Sequence, residues 1–223
     1  MIVPAGYYKD FRIMLLKNER EQVAEYGRKM IDSGLVKGTG GNLSIINRGE
    51  SLVAISPGGM SYHDINPENV VVVNLSGEII DSGNKPSSEI DMHLMLYEKR
   101  DDITSVIHTH SICTSTISCL RIGIPPVHYL IGFAGIDVKC AEYATYGTKE
   151  LAVNACRAME GRKAALLANH GLVAGADSLK QAFDIAEIVE YCAELYIKTR
   201  SIGDPVLIEE EEMKIVIDKF KNY

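Results

Sequence analysis

The sequence predicts a single α/β domain in which helices flank a central mixed or antiparallel sheet. Three observations favour this fold class. The chain has 223 residues, which is long enough for one sizeable hydrophobic core. Amphipathic helical patterns alternate with short apolar runs that are typical of strands, and tight turns join several of those runs. No linker, repeat or low-complexity tract divides the chain, so we expect one domain over residues 1–223.

Composition and charge narrow the functional classes. Hydrophobic residues make up 46% of the chain and charged residues 24%, both ordinary for a globular protein. The formal net charge of −7 argues against nucleic acid or an anionic membrane as the main partner. No apolar run reaches the roughly 20 residues that span a bilayer, and the N-terminus lacks a secretory signal pattern. Five scattered cysteines without a CxxC pair indicate a reducing compartment, so we expect a cytoplasmic protein in which most of them are buried.

The first third of the chain predicts one helix followed by short strands. Apolar residues recur every three to four positions between Arg12 and Ser33, and Gly34 is a suitable residue to end that helix. The strands predicted next are Leu43–Ile46, Leu52–Ile55, and two runs on either side of Ser76 and Gly77.

The rest of the chain alternates helices and strands. A polar linker leads to a helix in which Ser88 and Asp91 fit a capping box, and His93 lies on the same helical face as Glu89. Two prolines in IPPVHYLI argue against a regular central strand there. The other predicted elements are a strand Val106–His110, helices Ser111–Leu120 and Lys149–Met159, a hairpin turning at His170 and Gly171, a helix capped by Ser178 and Gln181 that runs through Ile197, and an acidic helix Glu209–Phe220.

Histidines follow two of the predicted buried strands. In SVIHTHSIC, His108 and His110 lie two residues apart, and the alternation of side chains along a strand places both on one side. His170, in LLANHGL, also follows an apolar strand and precedes a glycine. Glu89 stands near the start of a predicted helix, where the helix dipole also favours a carboxylate. Three imidazoles and one carboxylate form a donor set that suits Zn²⁺ or another divalent metal.

Glycine-rich and serine-rich turns predict contacts with an anionic substrate. Glycines leave backbone N–H groups unhindered, and the free N–H groups at a helix start favour phosphate. The chain has no GxxxxGK[ST] loop and no GxGxxG motif, which argues against a nucleotide enzyme. The candidate residues are Gly41, Asn42, Gly58, Gly59, Ser87 and Ser88.

The motif set as a whole resembles the class II aldolase family, and within it the bacterial L-fuculose-1-phosphate aldolases. The motifs that carry the resemblance are, in order, GTGGNLSI, ISPGG, KPSSEID, VIHTHS, IPPVHY, YATYGT and LLANHGL. The likeness runs from about Gly34 to Tyr223, and residues 1–12 stand outside it as an N-terminal extension.

The resemblance implies a set of roles for individual residues. Glu89, with His108, His110 and His170, would hold one Zn²⁺ per subunit, and Glu89 would also act as the catalytic base. Tyr129 would reach a neighbouring subunit's site as proton donor and acceptor. The substrate phosphate would meet the glycine, asparagine and serine residues named above, and the C-terminal Tyr223 would complete the site. The family usually has phenylalanine where this chain has Tyr146, a departure that bears on aldehyde specificity.

The resemblance also implies a reaction and an assembly. A ketose 1-phosphate, with L-fuculose 1-phosphate as the first candidate, would be cleaved reversibly to dihydroxyacetone phosphate and a short aldehyde such as L-lactaldehyde. The enzyme would be a homotetramer with active sites between subunits. The net charge and the lack of a long apolar run, rather than the resemblance, predict that it binds neither nucleic acid nor a membrane.

Four alternatives remain open at the level of sequence. An aldolase for 5-deoxyribulose 1-phosphate differs only in the aldehyde that it releases. A ribulose-phosphate 4-epimerase usually carries aspartate where Glu89 stands, and a methylthioribulose-phosphate dehydratase is less similar around PSSE. A non-catalytic, adducin-like binding module predicts loss of the metal ligands or of the phosphate-binding turns, and both are present.

Overall fold

A computed structural model describes residues 14–221, and within that range eight strands form one mixed sheet. The strands are β1 (Asn42–Asn47), β2 (Leu52–Ile55), β3 (Val71–Asn74), β4 (Ile79–Asp81), β5 (Ser105–Thr109), β6 (Lys139–Ala141), β7 (Ala164–Leu167) and β8 (Gly171–Ala176). The helices are α1 (Lys17–Asp32), α2 (Ile90–Lys99), α3 (Ile112–Cys119), α4 (Lys149–Ala158), α5 (Leu179–Ile202) and α6 (Glu210–Phe220), with a 3₁₀ helix at Tyr129–Phe133.

The strand order places β1 and β5 in the middle of the sheet. Across the sheet the order is β4-β3-β2-β1-β5-β8-β7-β6. Every neighbouring pair is antiparallel except β6 and β7. This arrangement brings the end of β5 beside the starts of β1 and β8, since Asn42 is paired with His108 and Leu172 with Thr109.

Helices cover both faces of the sheet because successive strand residues point to opposite sides. Along β5, Ile107 belongs to an apolar cluster formed with α1, α3 and α5. Val106 belongs to a second cluster on the other face, formed with α2 and α4. Each of these side chains is fully buried, which stabilises the fold by about 1.5–3 kcal/mol relative to an exposed position. The α/β class with a mixed sheet is therefore confirmed.

Several predicted element boundaries are confirmed by their end residues. Helix α1 ends at Asp32, and Gly34 then adopts a left-handed conformation with φ +76°. Helix α5 begins after Ser178, whose hydroxyl oxygen accepts a hydrogen bond from the backbone N–H of Gln181. Helix α5 continues to Ile202, beyond the predicted end, while the predicted start of α1 at Arg12 lies outside the described residues.

The capping box predicted from Ser88 and Asp91 is wrong. Helix α2 begins one residue later than that pattern requires, and its N-terminal flanking residue is Glu89, which makes no side-chain capping bond. Instead, the hydroxyl oxygen of Ser87 accepts from the backbone N–H of Glu89 at 3.3 Å. The Glu89 carboxylate is thereby left to point away from the helix axis, towards the end of β5.

Strand β6 was not among the predicted strands. It has only three residues, and a run this short carries no alternation from which a strand can be predicted. Its parallel pairing with β7 makes the sheet mixed.

Two further expectations concern the burial of the cysteines and the absence of a membrane-spanning segment. All five cysteines are unpaired, but only Cys192 is fully buried and Cys119 is exposed, so the prediction that most are buried is wrong. Among residues 14–221, no helix has the length and apolar character that crossing a membrane requires.

Candidate active site

Four of the predicted site residues converge where β5, the β7–β8 turn and the start of α2 meet. Glu89, His108, His110 and His170 each offer one ligand atom, and these atoms lie within 4.8 Å of one another. Nε2 of His108 lies 2.8 Å from Nε2 of His110 and 3.2 Å from Nε2 of His170. His110 follows the last residue of β5 rather than lying within the strand, yet its ring still reaches the same point as that of His108.

The tautomer of His108 is fixed by the neighbouring strand. Its Nδ1 lies 2.8 Å from the backbone carbonyl oxygen of Leu172, which can only accept a hydrogen bond. In a neutral ring Nδ1 therefore carries the hydrogen, and the lone pair of Nε2 points at the other two histidines. Carbonyl contacts of this kind orient histidine rings that bind metals.

The Glu89 carboxylate completes the cluster with an oxygen that has no hydrogen-bond partner. Oε2 lies 3.2 Å from Nε2 of His108, and Oε1 lies 3.5 Å from Nε2 of His170. Glu89 is buried, and its Oε1 is one of few buried polar atoms in the described chain without a hydrogen-bond partner. A buried carboxylate oxygen among converging imidazole nitrogens fits a divalent cation, which would satisfy all of these lone pairs at once.

Burial favours the neutral form of His108 and His110. Burial is the main cause that lowers the pKa of His108 well below its usual value, and the neighbouring His110 and His170 rings lower it further. Burial also lowers the pKa of His110, with His170 as the next cause. Since a metal binds the neutral imidazole, both shifts favour coordination.

The turn that carries His170 is held by helix α3. The backbone N–H groups of Asn169 and His170 both donate to Ser118, to its carbonyl oxygen at 3.0 Å and its hydroxyl oxygen at 3.3 Å respectively. Gly171 is required after the histidine because a Cβ at that position would lie 2.1 Å from the carbonyl oxygen of Thr109. The close approach of β8 to β5 thus depends on the glycine that the sequence singled out.

A cavity of about 340 Å³ opens beside the cluster, and all six residues predicted to contact phosphate line it. They share the wall with Glu89, His110 and His170. The six are Gly41, Asn42, Gly58, Gly59, Ser87 and Ser88. One cavity therefore combines a candidate metal site with backbone and hydroxyl donors that suit a phosphate group.

The three predicted tyrosines have different positions. Tyr146 lines the cavity and is largely exposed. Tyr129 lies on the 3₁₀ helix, half exposed, with its ring 6.2 Å from that of Phe220, and it does not line the cavity. Tyr223 lies outside the described residues. The chain on its own thus brings together the metal and phosphate candidates but not Tyr129.

Several residues that line the cavity were not singled out from the sequence. Thr39 belongs to the glycine-rich turn that also carries Gly40 and Gly41, and Pro57 to the Ser-Pro-Gly-Gly turn, so motif position was the available signal for Thr39 and Pro57. Tyr143 and Ala144 belong to the YATYGT motif and Asn169 to the LLANHGL motif, so their position in a motif was again the available signal. The residues concerned are Thr39, Pro57, Tyr143, Ala144 and Asn169.

Comparison with known proteins supports the same chemistry. Residues 21–197 match the family described as class II aldolase and adducin N-terminal domain. A 5-deoxy-D-ribulose 1-phosphate aldolase of Bacillus thuringiensis is 55% identical over 94% of this chain and 99% of its own length. An L-fuculose phosphate aldolase of Escherichia coli is 37% identical over 91% of this chain and 94% of its own.

A solved structure agrees with the sequence comparison. A protein described as L-fuculose 1-phosphate aldolase superposes with a TM-score of 0.91 and 48% identity, covering 93% of this chain and 98% of its own. The family match spans well over half of the sequence, and it includes the Glu89, His108, His110 and His170 cluster. The chain belongs to the class II aldolase family.

Proposed function

We propose that this enzyme cleaves a ketose 1-phosphate reversibly between C3 and C4, with Zn²⁺ or another divalent metal held by Glu89, His108, His110 and His170. The observation that carries the proposal is the convergence of these four ligand atoms within 4.8 Å, beside a cavity lined by phosphate-binding candidates. The products would be dihydroxyacetone phosphate and a short aldehyde.

The substrate that we place first is 5-deoxy-D-ribulose 1-phosphate, which would release acetaldehyde. The support is the 55% identity to an aldolase named for that sugar, compared with 37% to the L-fuculose phosphate aldolase of Escherichia coli. The sequence motifs alone favoured L-fuculose 1-phosphate, which would release L-lactaldehyde. That sugar remains the second candidate because the solved relative at 48% identity carries its name.

The chain's own groups account for binding of the phosphorylated end. The backbone N–H groups of Gly41 and Gly59 and the hydroxyls of Ser87 and Ser88 would donate to the phosphate oxygens. The N–H of Gly58 already donates to the carbonyl oxygen of Lys85 at 3.0 Å, so Gly58 would contribute by leaving room for the phosphate rather than by donating. These donors and Glu89 share one cavity, so the phosphate would fix C3 of the substrate near the carboxylate.

Proton transfer at C3 is assigned to Glu89. In the cleavage direction a base takes the C4 hydroxyl proton, the C3–C4 bond breaks, the aldehyde leaves, and the electron pair remains on the three-carbon fragment. The base releases the C4 proton to solvent, the Glu89 carboxylate takes up a proton from solvent, and Glu89 delivers it to C3; in the condensation direction Glu89 removes that proton. A divalent metal in this position supplies positive charge that stabilises the negative charge developing on the substrate oxygens.

The group that handles the C4 hydroxyl is proposed to be Tyr129 of a neighbouring subunit in a homotetramer. Tyr129 is half exposed and lies away from the cavity of its own chain, which is consistent with a role in an adjacent site. Tyr223 is proposed to close that site. We also propose one metal per subunit and a reducing, cytoplasmic location, which the five unpaired cysteines support.

A direct comparison of substrates tests the proposal. The zinc-loaded protein is incubated with 5-deoxy-D-ribulose 1-phosphate or L-fuculose 1-phosphate, and release of dihydroxyacetone phosphate is measured for each. We expect a higher kcat/KM for the deoxypentulose. A higher value for L-fuculose 1-phosphate would reverse the order of the two candidates, and release from neither would reject the aldolase assignment.

A further inference from the structure

A continuous line of buried polar contacts runs from the Glu89 carboxylate to Tyr97, in the C-terminal half of helix α2. Nδ2 of Asn42 lies 2.9 Å from Oε2 of Glu89, and Oδ1 of Asn42 lies 2.5 Å from Nε2 of His93. Nδ1 of His93 lies 2.7 Å from the hydroxyl oxygen of Ser44, which is 2.6 Å from the hydroxyl oxygen of Tyr97. All five residues are buried, and His93 and Ser44 are completely so.

The strand and the helix that carry these residues explain why the line exists. Asn42 and Ser44 are two residues apart on β1, so their side chains share the face that packs against α2. Glu89, His93 and Tyr97 are spaced by four along the chain and therefore follow one another along one side of α2. The spacing of two residues along β1 and of four residues along α2 places the side chains alternately, so each contact joins the strand to the helix.

The Glu89 carboxylate at one end of the line determines the direction of every hydrogen bond in it. A carboxylate only accepts, so Asn42 must present its NH₂ group to Glu89 and its carbonyl oxygen to His93. That oxygen also only accepts, so the hydrogen of His93 must lie on Nε2. Nδ1 then accepts from the Ser44 hydroxyl.

The far end of the line closes on Tyr97. Because the Ser44 hydroxyl donates to His93, its oxygen accepts from the Tyr97 hydroxyl. The backbone carbonyl oxygen of Ser44 lies 2.9 Å from the Tyr97 hydroxyl oxygen. The single hydrogen of the Tyr97 hydroxyl is therefore shared between the hydroxyl oxygen and the carbonyl oxygen of Ser44.

We propose that His93 is a positioning residue for Glu89, acting through the side-chain amide of Asn42. The Nε2–H group of His93 selects the amide orientation that directs NH₂ towards Oε2 of Glu89. The opposite orientation would place the amide oxygen against the carboxylate. With Oε2 held in this way, Oε1 is the oxygen left free, as its lack of a partner shows. This inference rests on the proposed role of Glu89 at C3, and it gives the Asn42 side chain a task besides phosphate contact.

The surroundings of His93 keep its ring neutral, as this arrangement requires. Burial is the largest cause that lowers the pKa of His93 to about 3, and a charged His108 would lower it further, whereas the Glu89 carboxylate raises it. The ring therefore offers one donor and one acceptor over the working pH range.

Two substitutions at position 93 separate positioning from simple filling of space. In His93→Gln the amide nitrogen can occupy the place of Nε2 and still donate to Asn42. In His93→Asn the shorter side chain reaches only the place of Nδ1, so the donor to Asn42 is lost. Glu98→Gln, on the exposed side of the same helix, is the control.

The first readout uses the metal-free protein and no substrate. Nitrogen-15 NMR of the wild-type protein reports which ring nitrogen of His93 carries the hydrogen, and it resolves the Asn42 side-chain amide. We expect a His93 hydrogen on Nε2 and an Asn42 amide proton that exchanges slowly with solvent. That protection should persist in His93→Gln and disappear in His93→Asn. A wild-type hydrogen on Nδ1 of His93 would overturn the proposal, whatever the variants do.

The second readout uses the zinc-loaded protein and dihydroxyacetone phosphate. At saturating ligand we expect the exchange rate of its C3 proton to fall about 10-fold or more in His93→Asn, while its Kd and the zinc content change much less. His93→Gln should restore most of the rate. Equal rates in the two variants would contradict positioning through Asn42. If the wild-type protein shows no exchange, the proposed function fails, and the NMR result still decides the hydrogen-bond direction.

Discussion

Nδ1 of His108 lies 2.8 Å from the backbone carbonyl oxygen of Leu172 on the neighbouring strand β8. This single contact links the register of the sheet to the chemistry of the site, because it leaves the lone pair of Nε2 facing His110 and His170. The sheet therefore holds one candidate metal ligand rigidly, and the other two histidines reach it from the end of β5 and from the β7–β8 turn.

Removal of one histidine of the cluster should abolish metal binding without unfolding the protein. His110→Ala is expected to lower zinc affinity by about 100-fold or more and to remove nearly all aldolase activity. The free energy of unfolding of the metal-free protein should change by less than about 1 kcal/mol, because His110 is partly exposed. Zinc content after dialysis is the measurement, with the exposed His63→Ala as the control. A fully zinc-loaded His110→Ala protein would exclude His110 as a ligand.

The role of Glu89 as a base predicts a separation of metal binding from proton transfer. Glu89→Gln keeps an oxygen at the cluster, so much of the zinc should remain bound. Solvent exchange of the C3 proton of dihydroxyacetone phosphate should fall by at least about 100-fold. Proton NMR in deuterated buffer measures this exchange, and Glu98→Gln on the same helix serves as the matched control. Exchange at the wild-type rate would rule out Glu89 as the base.

Tyr129 is expected to affect carbon–carbon cleavage more than proton exchange at C3. Tyr129→Phe should lower kcat for cleavage by about 100-fold or more, because the C4 hydroxyl loses its proton acceptor. Exchange of the C3 proton should change by less than about 10-fold. Tyr191→Phe, another half-exposed tyrosine, is the control. Equal loss of both activities would count against the assignment.

A pair of glycines separates backbone strain from crowding beside the site. Gly34 and Gly41 have similar left-handed conformations, with φ +76° and +72°. A Cβ at Gly34 meets nothing within 4 Å, whereas a Cβ at Gly41 would lie 2.6 Å from the carbonyl oxygen of His108. Gly34→Ala should therefore cost about 1 kcal/mol of unfolding free energy, and Gly41→Ala at least about 1 kcal/mol more. Urea denaturation measures both, and equal losses would show that crowding against β5 is unimportant.

The buried histidines predict how the stability of the metal-free protein depends on pH. Burial lowers the pKa values of His93, His108 and His110 in the folded protein, that of His93 to about 3. Between these values and the unfolded value of about 6.5, the unfolded chain binds more protons. Stability is therefore complete above pH 6.5 and falls on acidification, by up to about 1.4 kcal/mol per pH unit for each histidine.

Denaturation with urea from pH 7.5 to 5.5 checks this pH dependence. His93→Gln should show a shallower dependence than the wild-type protein, because one of the three histidines no longer takes up a proton on unfolding. A wild-type stability that is flat or rises towards pH 5.5 would contradict the prediction.

Much of the fold could be predicted because local patterns agree with the final structure. Strand β2 was predicted from a short apolar run that leads into a turn, and the glycine after α1 from helix-end chemistry alone. The missed strand β6 depends on pairing with β7, a contact between distant parts of the chain that no local pattern records. The failed capping box at Ser88 shows a different limit, since Glu89 there is directed to the histidine cluster instead of serving the helix.

The candidate site was predictable to the extent that its residues follow strands or form glycine-rich turns. His108, His110 and His170 stand at strand ends, which identified them before any contact was known. The link from Glu89 to His93 was predictable only as a shared helical face, because the intervening Asn42 belongs to β1. Tyr143 and Asn169 lie within the YATYGT and LLANHGL motifs, but only the tertiary structure shows that their side chains reach the cavity.

The most direct measurement is release of dihydroxyacetone phosphate from 5-deoxy-D-ribulose 1-phosphate by the purified protein, before chelation, after chelation, and after zinc is restored. Metal content is determined by elemental analysis at each stage. We predict that release disappears with the metal and returns with about one zinc per subunit. Undiminished release from protein shown to be free of metal would contradict a metal-dependent aldolase built on Glu89, His108, His110 and His170.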